Sequence, residues 1–180
     1  MQQIVIEGFG GQGSETAGEM MVLTLFRQGQ VVQGLPIYSP EQMGGNIIYV
    51  VRTDADGDRS VPMRNRNALV LMHADLATAQ AASSLSTDGL LLLNTAAPPS
   101  SFHHLHHRVA TVDGNQLARE ATLVRANIPM VSTVMLGALA RVTEYMAIET
   151  LTDIIKQTVP RKLDENLWVV KAGYDQVVLS

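Results

Sequence analysis

A glycine-rich turn near the start of the chain is the feature whose residue types and spacing most directly suggest chemistry. Residues 8–13 read Gly-Phe-Gly-Gly-Gln-Gly and lie between a short apolar run and a segment of helical periodicity. Glycines permit positive φ and leave the backbone uncovered, so that N–H groups at a helix start can face an anion. We therefore predict that Gly10, Gly11, Gln12 and Gly13 form a ligand-facing turn. The alternative is a tight turn that only lets helix and sheet pack closely.

The neighbouring sequence narrows the kind of ligand that this turn would take. A dinucleotide site places an acidic residue after the second strand, where it binds the ribose hydroxyls. The corresponding residues 31–35 read Val-Val-Gln-Gly-Leu and contain no Asp or Glu. The Gly-Lys-Ser/Thr of a Walker loop is also missing from the turn. A nicotinamide, flavin or ATP site is therefore not favoured, although a free-standing nucleotide-binding or regulatory module stays open as the alternative.

A second loop carries two more candidate site residues, Tyr38 and Glu41. Residues 37–46 contain a proline and two glycines without periodicity, which predicts an ordered loop. In a doubly wound sheet this loop would approach the glycine turn at the carboxyl ends of the strands. Glu41 would then orient a partner residue or a substrate hydroxyl, or form an ion pair that holds the loop. His73 either faces the same crevice or caps the turn that follows it.

Two further segments resemble metal sites but lack the full pattern. Residues 103–107 read His-His-Leu-His-His, with no carboxylate or cysteine nearby to complete a closed zinc site. Residues 54–58 read Asp-Ala-Asp-Gly-Asp, but the glycine is at the fourth position and Asn65 is at the twelfth, so the EF-hand pattern fails. We predict a solvated loop and an acidic hairpin turn, and no metal site in this chain.

Composition excludes several classes of function. The net charge is −4 and no run of Lys or Arg occurs, which argues against nucleic acid as a ligand. Cysteine is absent, so this chain can hold no disulfide and no cysteine-ligated iron–sulfur cluster. Apolar stretches are far shorter than the roughly 20 residues that a bilayer requires. Without a basic leader before the first apolar run, we expect a cytoplasmic protein with no membrane contact.

The fold that must position these residues is predicted from alternating apolar runs and helical segments. Strands are expected at residues 3–7, 31–35, 68–72, 90–94 and 109–112, with a hairpin formed by 46–52 and 60–63. Helices are expected at residues 14–27, 75–83, 115–125, 130–145, 148–157 and 163–174. This order predicts an α/β fold, a three-layer domain with a Rossmann-like, mostly parallel sheet. No repeat or linker divides it, so one domain spans residues 1–180.

Several motifs in order along the chain resemble those of one protein family. They are the glycine turn, Tyr-Ser-Pro-Glu-Gln-Met-Gly-Gly at 38–45, Leu-Leu-Leu-Leu-Asn at 90–94, Val-Asp-Gly at 112–114, Val-Met-Leu-Gly-Ala-Leu at 134–139 and Lys-Ala-Gly-Tyr at 171–174. Together they resemble the gamma subunit of the 2-oxoacid:ferredoxin oxidoreductases, of which pyruvate:ferredoxin oxidoreductase is the best-known member. The resemblance spans nearly the whole chain.

This resemblance implies a role within a larger enzyme. Members of the family use thiamine diphosphate with Mg to decarboxylate a 2-oxoacid, pass electrons through iron–sulfur clusters to ferredoxin, and form an acyl-coenzyme A. The gamma chain carries none of these cofactors and packs against the subunits that do. It would therefore be inactive alone. The glycine turn and the loop at 38–45 would face the partner chains, completing the active-site environment and the approach of coenzyme A.

The sequence also departs from the family pattern. Gln42 and Met43 stand where relatives commonly carry arginine before the glycine pair, so this chain lacks the cation for the anionic contact that the resemblance implies there. Ser132 stands where many relatives have Asn. The beta chain of indolepyruvate oxidoreductase shares the glycine turn, but Ser-Pro-Glu at 39–41 favours the gamma chain. A purely structural scaffold within the complex is a third possibility.

Overall fold

The computed structural model describes residues 2–39, 45–53 and 65–180, and within these ranges the chain alternates strands and helices. The strands are β1 (Gln2–Phe9), β2 (Val32–Tyr38), β3 (Asn46–Thr53), β4 (Arg66–Leu71), β5 (Leu85–Asn94), β6 (Arg108–Val112), β7 (Val124–Arg125), β8 (Ile128–Pro129) and β9 (Val178–Leu179). The helices are α1 (Ser14–Arg27), α2 (Ala79–Ala82), α3 (Gly114–Glu120), α4 (Ser132–Val142), α5 (Ile148–Thr158) and α6 (Leu163–Gln176).

The strands of the described residues form one large sheet and one small hairpin. The sheet has seven strands in the order β2-β3-β1-β4-β5-β6-β9, and β7 pairs with β8 apart from it. The four adjacent strands β1, β4, β5 and β6 are parallel, whereas β3 and β9 run against their neighbours. The α/β class and the Rossmann-like central sheet are thereby confirmed, with antiparallel strands added toward both edges.

Helical segments cover the two faces of the sheet unequally. Alternate residues of a strand point to opposite faces, so Ile4 and Ile6 meet one layer while Val5 meets the other. The first layer consists of α1, α3, α4, α5 and α6, which share one apolar core with the sheet. The second contains α2 and short 3₁₀ segments at Ala74–Leu76 and Pro99–Leu105. No helix in the described ranges combines the length and apolarity needed to span a bilayer.

Helices α4 and α6 approach each other so closely that glycines are required at the contact. A Cβ at Gly137 would lie 2.0 Å from the carbonyl oxygen of Val170. A Cβ at Gly173 would lie 2.2 Å from the carbonyl oxygen of Val134. The motifs Leu-Gly-Ala and Ala-Gly-Tyr are therefore the two sides of one helix–helix contact.

The second strand extends further than predicted. We expected it to end before Pro36, but β2 continues to Tyr38. Among the strands that the structure describes, β2 is terminal in the sheet and bonds to a neighbour, β3, on one side only. Ser39 N–H donates to the carbonyl of Asn46 on β3. Because only every second residue of an antiparallel strand bonds to a given neighbour, the backbone of Pro36, three residues earlier, faces away from β3. A proline there costs no sheet hydrogen bond.

Other element predictions need correction. The helix expected at 75–83 is a 3₁₀ segment followed by the single turn of α2, with Thr78 capping that turn. The helix expected at 115–125 ends at Glu120, because the chain takes positive φ at Thr122 and then forms the β7–β8 hairpin. The apolar run at 46–52 forms β3 between β1 and β2. Residues 54–58 and the expected second arm at 60–63 lie outside the described residues.

Candidate functional site

The glycine turn connects β1 to α1 and has the backbone conformation for which glycine is suited. Gly11 and Gly13 have φ of 93° and 95°, in the left-handed region. Gly13 is the N-cap of α1. At Gly8 a Cβ would lie 2.7 Å from the Cβ of Met72, so the turn also passes close to the end of β4.

The side chain of Gln12 points inward and braces this turn. Gln12 is only 6% exposed. Its Oε1 accepts from the N–H of Phe9 at 2.8 Å, and its Nε2 donates to the carbonyl of Met72 at 3.1 Å. This placement differs from the predicted ligand-facing role: the side chain completes the hydrogen bonds of the turn, and Gly11 is the residue that the turn exposes.

The second predicted loop begins and ends beside the glycine turn. The hydroxyl of Tyr38 donates to Oε1 of Glu15 at 2.6 Å, and this hydrogen bond raises the pKa of Tyr38 above its ordinary value of 10.0. At the other end, Gly10 N–H donates to the carbonyl of Gly45 at 3.1 Å. Both arms of the loop therefore contact the turn or its helix. Glu41 lies outside the described residues.

Two of the histidines, His73 and His103, have local structural partners. His73 Nδ1 accepts from the N–H of Asp75 at 3.3 Å, so this residue caps the following turn, and its ring lies against Phe9. His103 Nδ1 bonds the carbonyl oxygen of Ser100 at 2.7 Å within a 3₁₀ segment. In the part of the chain that the structure describes, no group of three or more His, Asp or Glu side chains is arranged around a possible metal position.

A groove of about 560 Å³ lies beside the glycine turn. One wall is the turn itself with the start of α1, and the others are the β7–β8 hairpin and the connection from α5 to α6. The start of α4 is tied to the turn, because Val131 N–H donates to the carbonyl of Gln12 at 3.3 Å. A Cβ at Gly13 would lie 3.0 Å from the Cβ of Ser132, so the first turns of α1 and α4 are in contact.

The electrostatics of this groove favour an anion. Among the described residues no side chain caps the start of α1 or α4, so no described side chain bonds the N–H groups of either first turn. The hydroxyl of Ser14 is 2% exposed and, within the described residues, has no hydrogen-bond partner. Arg125 and Arg161 line the groove and are exposed. Two helix N-termini and two guanidinium groups form a setting typical of phosphate binding.

Comparison with known proteins identifies the family. The family model described as pyruvate ferredoxin/flavodoxin oxidoreductase matches residues 3–176. This chain belongs to the pyruvate ferredoxin/flavodoxin oxidoreductase family. It is 32% identical to pyruvate synthase subunit PorC of Methanothermobacter marburgensis over 98% of both chains. It is 27% identical to the common gamma subunit of the pyruvate/ketoisovalerate oxidoreductases of Pyrococcus abyssi, over 92% of this chain and 90% of that one.

A solved structure supports the same assignment. The crystal structure of the pyruvate oxidoreductase subunit PORC from Thermotoga maritima superposes with a TM-score of 0.84 at 27% identity, covering 99% of this chain and 98% of that one. The resemblance to the oxidoreductase family is thus confirmed along the whole chain. These findings support the subunit interpretation and give no support to a free-standing nucleotide-binding module.

Residues of the family motifs make hydrogen bonds that hold the structure around the glycine turn. Asn94 donates from Nδ2 to the carbonyl of Met72 at 2.9 Å, the same oxygen that Gln12 contacts. Asp113 caps α3 by accepting from the N–H of Gln116 at 2.9 Å. The motifs therefore fix the carboxyl edge of the sheet around the glycine turn. The sequence did not point to Arg125 or Arg161, because neither belongs to a recognisable binding motif and only Arg161 has a basic neighbour, Lys162.

Proposed function

We propose that this chain is the gamma subunit of a 2-oxoacid:ferredoxin oxidoreductase, an enzyme that converts a 2-oxoacid to an acyl-coenzyme A and reduces ferredoxin. The observation that carries the proposal is the end-to-end match to family members that are subunits of such enzymes. The match leaves no separate part of this chain to hold a different active site. In this proposal the chain works only within the complex.

The cofactors belong to the partner subunits in this proposal. Iron–sulfur clusters are held mainly by cysteine thiolates, and the 180 residues contain none. Thiamine diphosphate and Mg would be bound by another chain, which would supply the chemistry of decarboxylation. The gamma subunit of the Pyrococcus abyssi relative is named as common to pyruvate and ketoisovalerate enzymes. This sharing supports the view that the choice of 2-oxoacid is made outside the gamma subunit.

The groove beside the glycine turn would receive the phosphate groups of the substrate coenzyme A. Its two free helix starts and the side chains of Arg125 and Arg161 offer donors and positive charge to a diphosphate. The exposed backbone of Gly11 lets a ligand approach without meeting a side chain. Glu15 is the carboxylate in the described lining, and the Tyr38 hydroxyl donates to it, which offsets part of its charge. The residues would hold the nucleotide end, leaving the thiol arm to extend toward the partner chains.

Reconstitution of the enzyme tests both levels of the proposal. The thiamine-bearing and cluster-bearing subunits are combined with this chain or without it, and 2-oxoacid-dependent ferredoxin reduction is measured while coenzyme A is varied. Full turnover without the chain would end the subunit proposal. Stoichiometric binding of NAD, FAD or ATP by the isolated chain would favour the free-standing module instead.

Single substitutions address the groove. Arg125→Ala and Arg161→Ala are each expected to raise the KM for coenzyme A by roughly tenfold, the effect of removing one charge-assisted hydrogen bond. The KM for the 2-oxoacid should stay unchanged. Arg119→Ala, which removes an exposed arginine of α3, serves as the control. Unchanged KM values in both groove variants would exclude the groove while leaving the subunit proposal intact.

A further inference from the structure

Exposed apolar side chains are concentrated along one edge of the molecule. Among the large apolar side chains of the described residues, Phe26 and Val31 are the most exposed, at 70% and 66%. Leu23 lies on the same helix as Phe26, and Leu35 and Ile37 lie on β2. We call Leu23, Phe26, Val31, Leu35 and Ile37, together with Glu15, Glu19 and Tyr38, the edge surface.

Helix α1 runs alongside β2, which makes these residues neighbours. Residues 15, 19, 22 and 26 fall on one helical stripe, four or three positions apart. The stripe faces the strand at two points, since a Cβ at Gly34 would lie 2.8 Å from Val22 Cγ2 and Tyr38 donates to Glu15. Phe26 therefore lies at the beginning of the strand and the two glutamates near its end.

The strand exposes apolar residues on its other face as well. Leu35 pairs with Val50 and Ile37 with Ile48, which places them on the sheet face opposite α1. Their exposed portions and those of Leu23, Phe26 and Val31 together amount to on the order of 400 Å² of apolar area. A standard protein interface buries about 800 Å² per partner and is roughly 60% apolar. The edge surface thus has the apolar area of one such interface, wrapped around the terminal strand.

The charge distribution decides what kind of partner fits. Glu15 and Glu19 lie at one end of the edge surface, and both act electrostatically on Tyr38 and Tyr49. In a two-fold contact between copies, the glutamates of each copy would face its neighbour's apolar end, where the one adjacent cation of α1, Arg27, already donates to Gln157 at 2.6 Å. Pro36 removes the N–H that strand pairing between copies would use at this edge. A different chain with basic residues beside an apolar patch would pair with the glutamates at one end of the edge surface and cover the apolar side chains at the other.

We propose that the edge surface is the site where this chain docks on another subunit of the oxidoreductase, through an apolar patch of that subunit flanked by lysine or arginine. This inference rests on the proposed function, which requires such a partner. Phe26 and Leu35 anchor the contact from the two sides of β2, and Glu15 and Glu19 steer association and set its direction.

The test uses the partner complex lacking this chain, immobilised through its thiamine-bearing subunit, and measures binding of full-length variants by biolayer interferometry. Phe26→Glu and Leu35→Glu are expected to weaken binding roughly tenfold or more. Trp168→Glu introduces the same charge at an exposed aromatic residue of α6 and should bind like the parent chain. Glu19→Lys should slow association and flatten its dependence on salt concentration. Circular dichroism and thermal unfolding establish that each variant is folded.

The outcomes separate this inference from the proposed function. If the parent chain does not bind the partner complex, the proposed function fails. If it binds and the folded Phe26→Glu and Leu35→Glu variants bind equally well, the edge surface is not the docking site, although the proposed function stands. A concentration-dependent dimer of the isolated chain that Phe26→Glu abolishes would assign this surface to a second copy and overturn the inference.

Discussion

Replacement of Gln12 by leucine separates a bracing role from a ligand-binding role. Gln12→Leu places a slightly shorter apolar side chain at this position and removes both hydrogen bonds, with Phe9 N–H and with the Met72 carbonyl. The Met72 carbonyl keeps the bond from Asn94, whereas Phe9 N–H loses its acceptor. The variant therefore orphans one backbone donor beside the turn.

The expected loss in the free energy of unfolding follows from these contacts. Each lost hydrogen bond costs about 1 kcal/mol, and an unpaired buried donor costs about 1–3 kcal/mol. We expect the free energy of unfolding to fall by roughly 2–4 kcal/mol, which lowers Tm by about 4–12 °C for a chain of this size.

Gln12→Glu keeps an acceptor for Phe9 but turns a second oxygen toward the Met72 carbonyl. Burial raises the pKa of that carboxyl in the folded state, so the stability of this variant should decline as pH rises.

Urea and thermal denaturation, followed by circular dichroism, measure the effect. Gln80→Leu, at an exposed position of α2, is the matched control and should change stability by less than about 0.5 kcal/mol. A Gln12→Leu chain that is as stable as the control, but gives the assembled enzyme a raised KM for coenzyme A, would refute the bracing role. That result would mean that the side chain turns outward to the substrate.

Three further predictions concern the helix contact, the tyrosine and the edge strand. Gly137→Ala should destabilise the chain by about 1–3 kcal/mol in urea denaturation, because the overpacking cost against the Val170 carbonyl exceeds the gain in helix propensity; unchanged stability would contradict the contact. The hydrogen bond to Glu15 raises the pKa of Tyr38, so its contribution to stability is full below pH 10.0 and lost as pH rises through the folded-state pKa. Glu15→Gln should lower that pKa in a spectrophotometric titration of the tyrosines, and an unaltered curve would count against the bond. Pro36→Val restores an outward N–H on the terminal strand and should increase self-association in light scattering; scattering equal to that of the parent chain would show that the proline does not protect this edge.

The parts of the fold that sequence predicted are those in which local signals agree with tertiary packing. Helix α1 begins and ends where predicted, since a glycine turn precedes it and Gly29 takes positive φ after it. The apolar runs at β4, β5 and β6 are buried on both faces, as parallel central strands require. Pro36 misled the prediction because a proline ends a central strand but is tolerated on a terminal one, and the sheet order is not visible locally.

The hairpin β7–β8 was missed for a related reason. Its turn places Ala126 and Asn127 at positive φ, 49° and 64°, without a glycine to signal it. From the sequence, the apolar period of the preceding helix therefore continues into these residues and predicts a helix as far as residue 125. Packing of α3 and α4 against the sheet decides where that helix stops.

For the site, sequence located the turn but not the direction of its side chains. The glycine spacing predicts the turn, whereas the inward direction of Gln12 depends on the Met72 carbonyl, 60 residues away. The two ends of the second loop do lie beside the turn, since Gly10 N–H donates to the Gly45 carbonyl and Tyr38 donates to Glu15 of α1. Arg125 and Arg161 come together only because α4 and α6 pack side by side.

The glycine contact between α4 and α6 determines which wall of the groove can move. Backbone meets backbone at Gly137 and Gly173, and Thr133 donates to Asn166 at 2.9 Å near the starts of both helices. The two helices therefore form one rigid body. Arg161, just before α6, is attached to that body, whereas Arg125 is on a hairpin of two-residue strands. We therefore expect a ligand that needs a wider groove to displace Arg125, together with the hairpin, before it displaces Arg161.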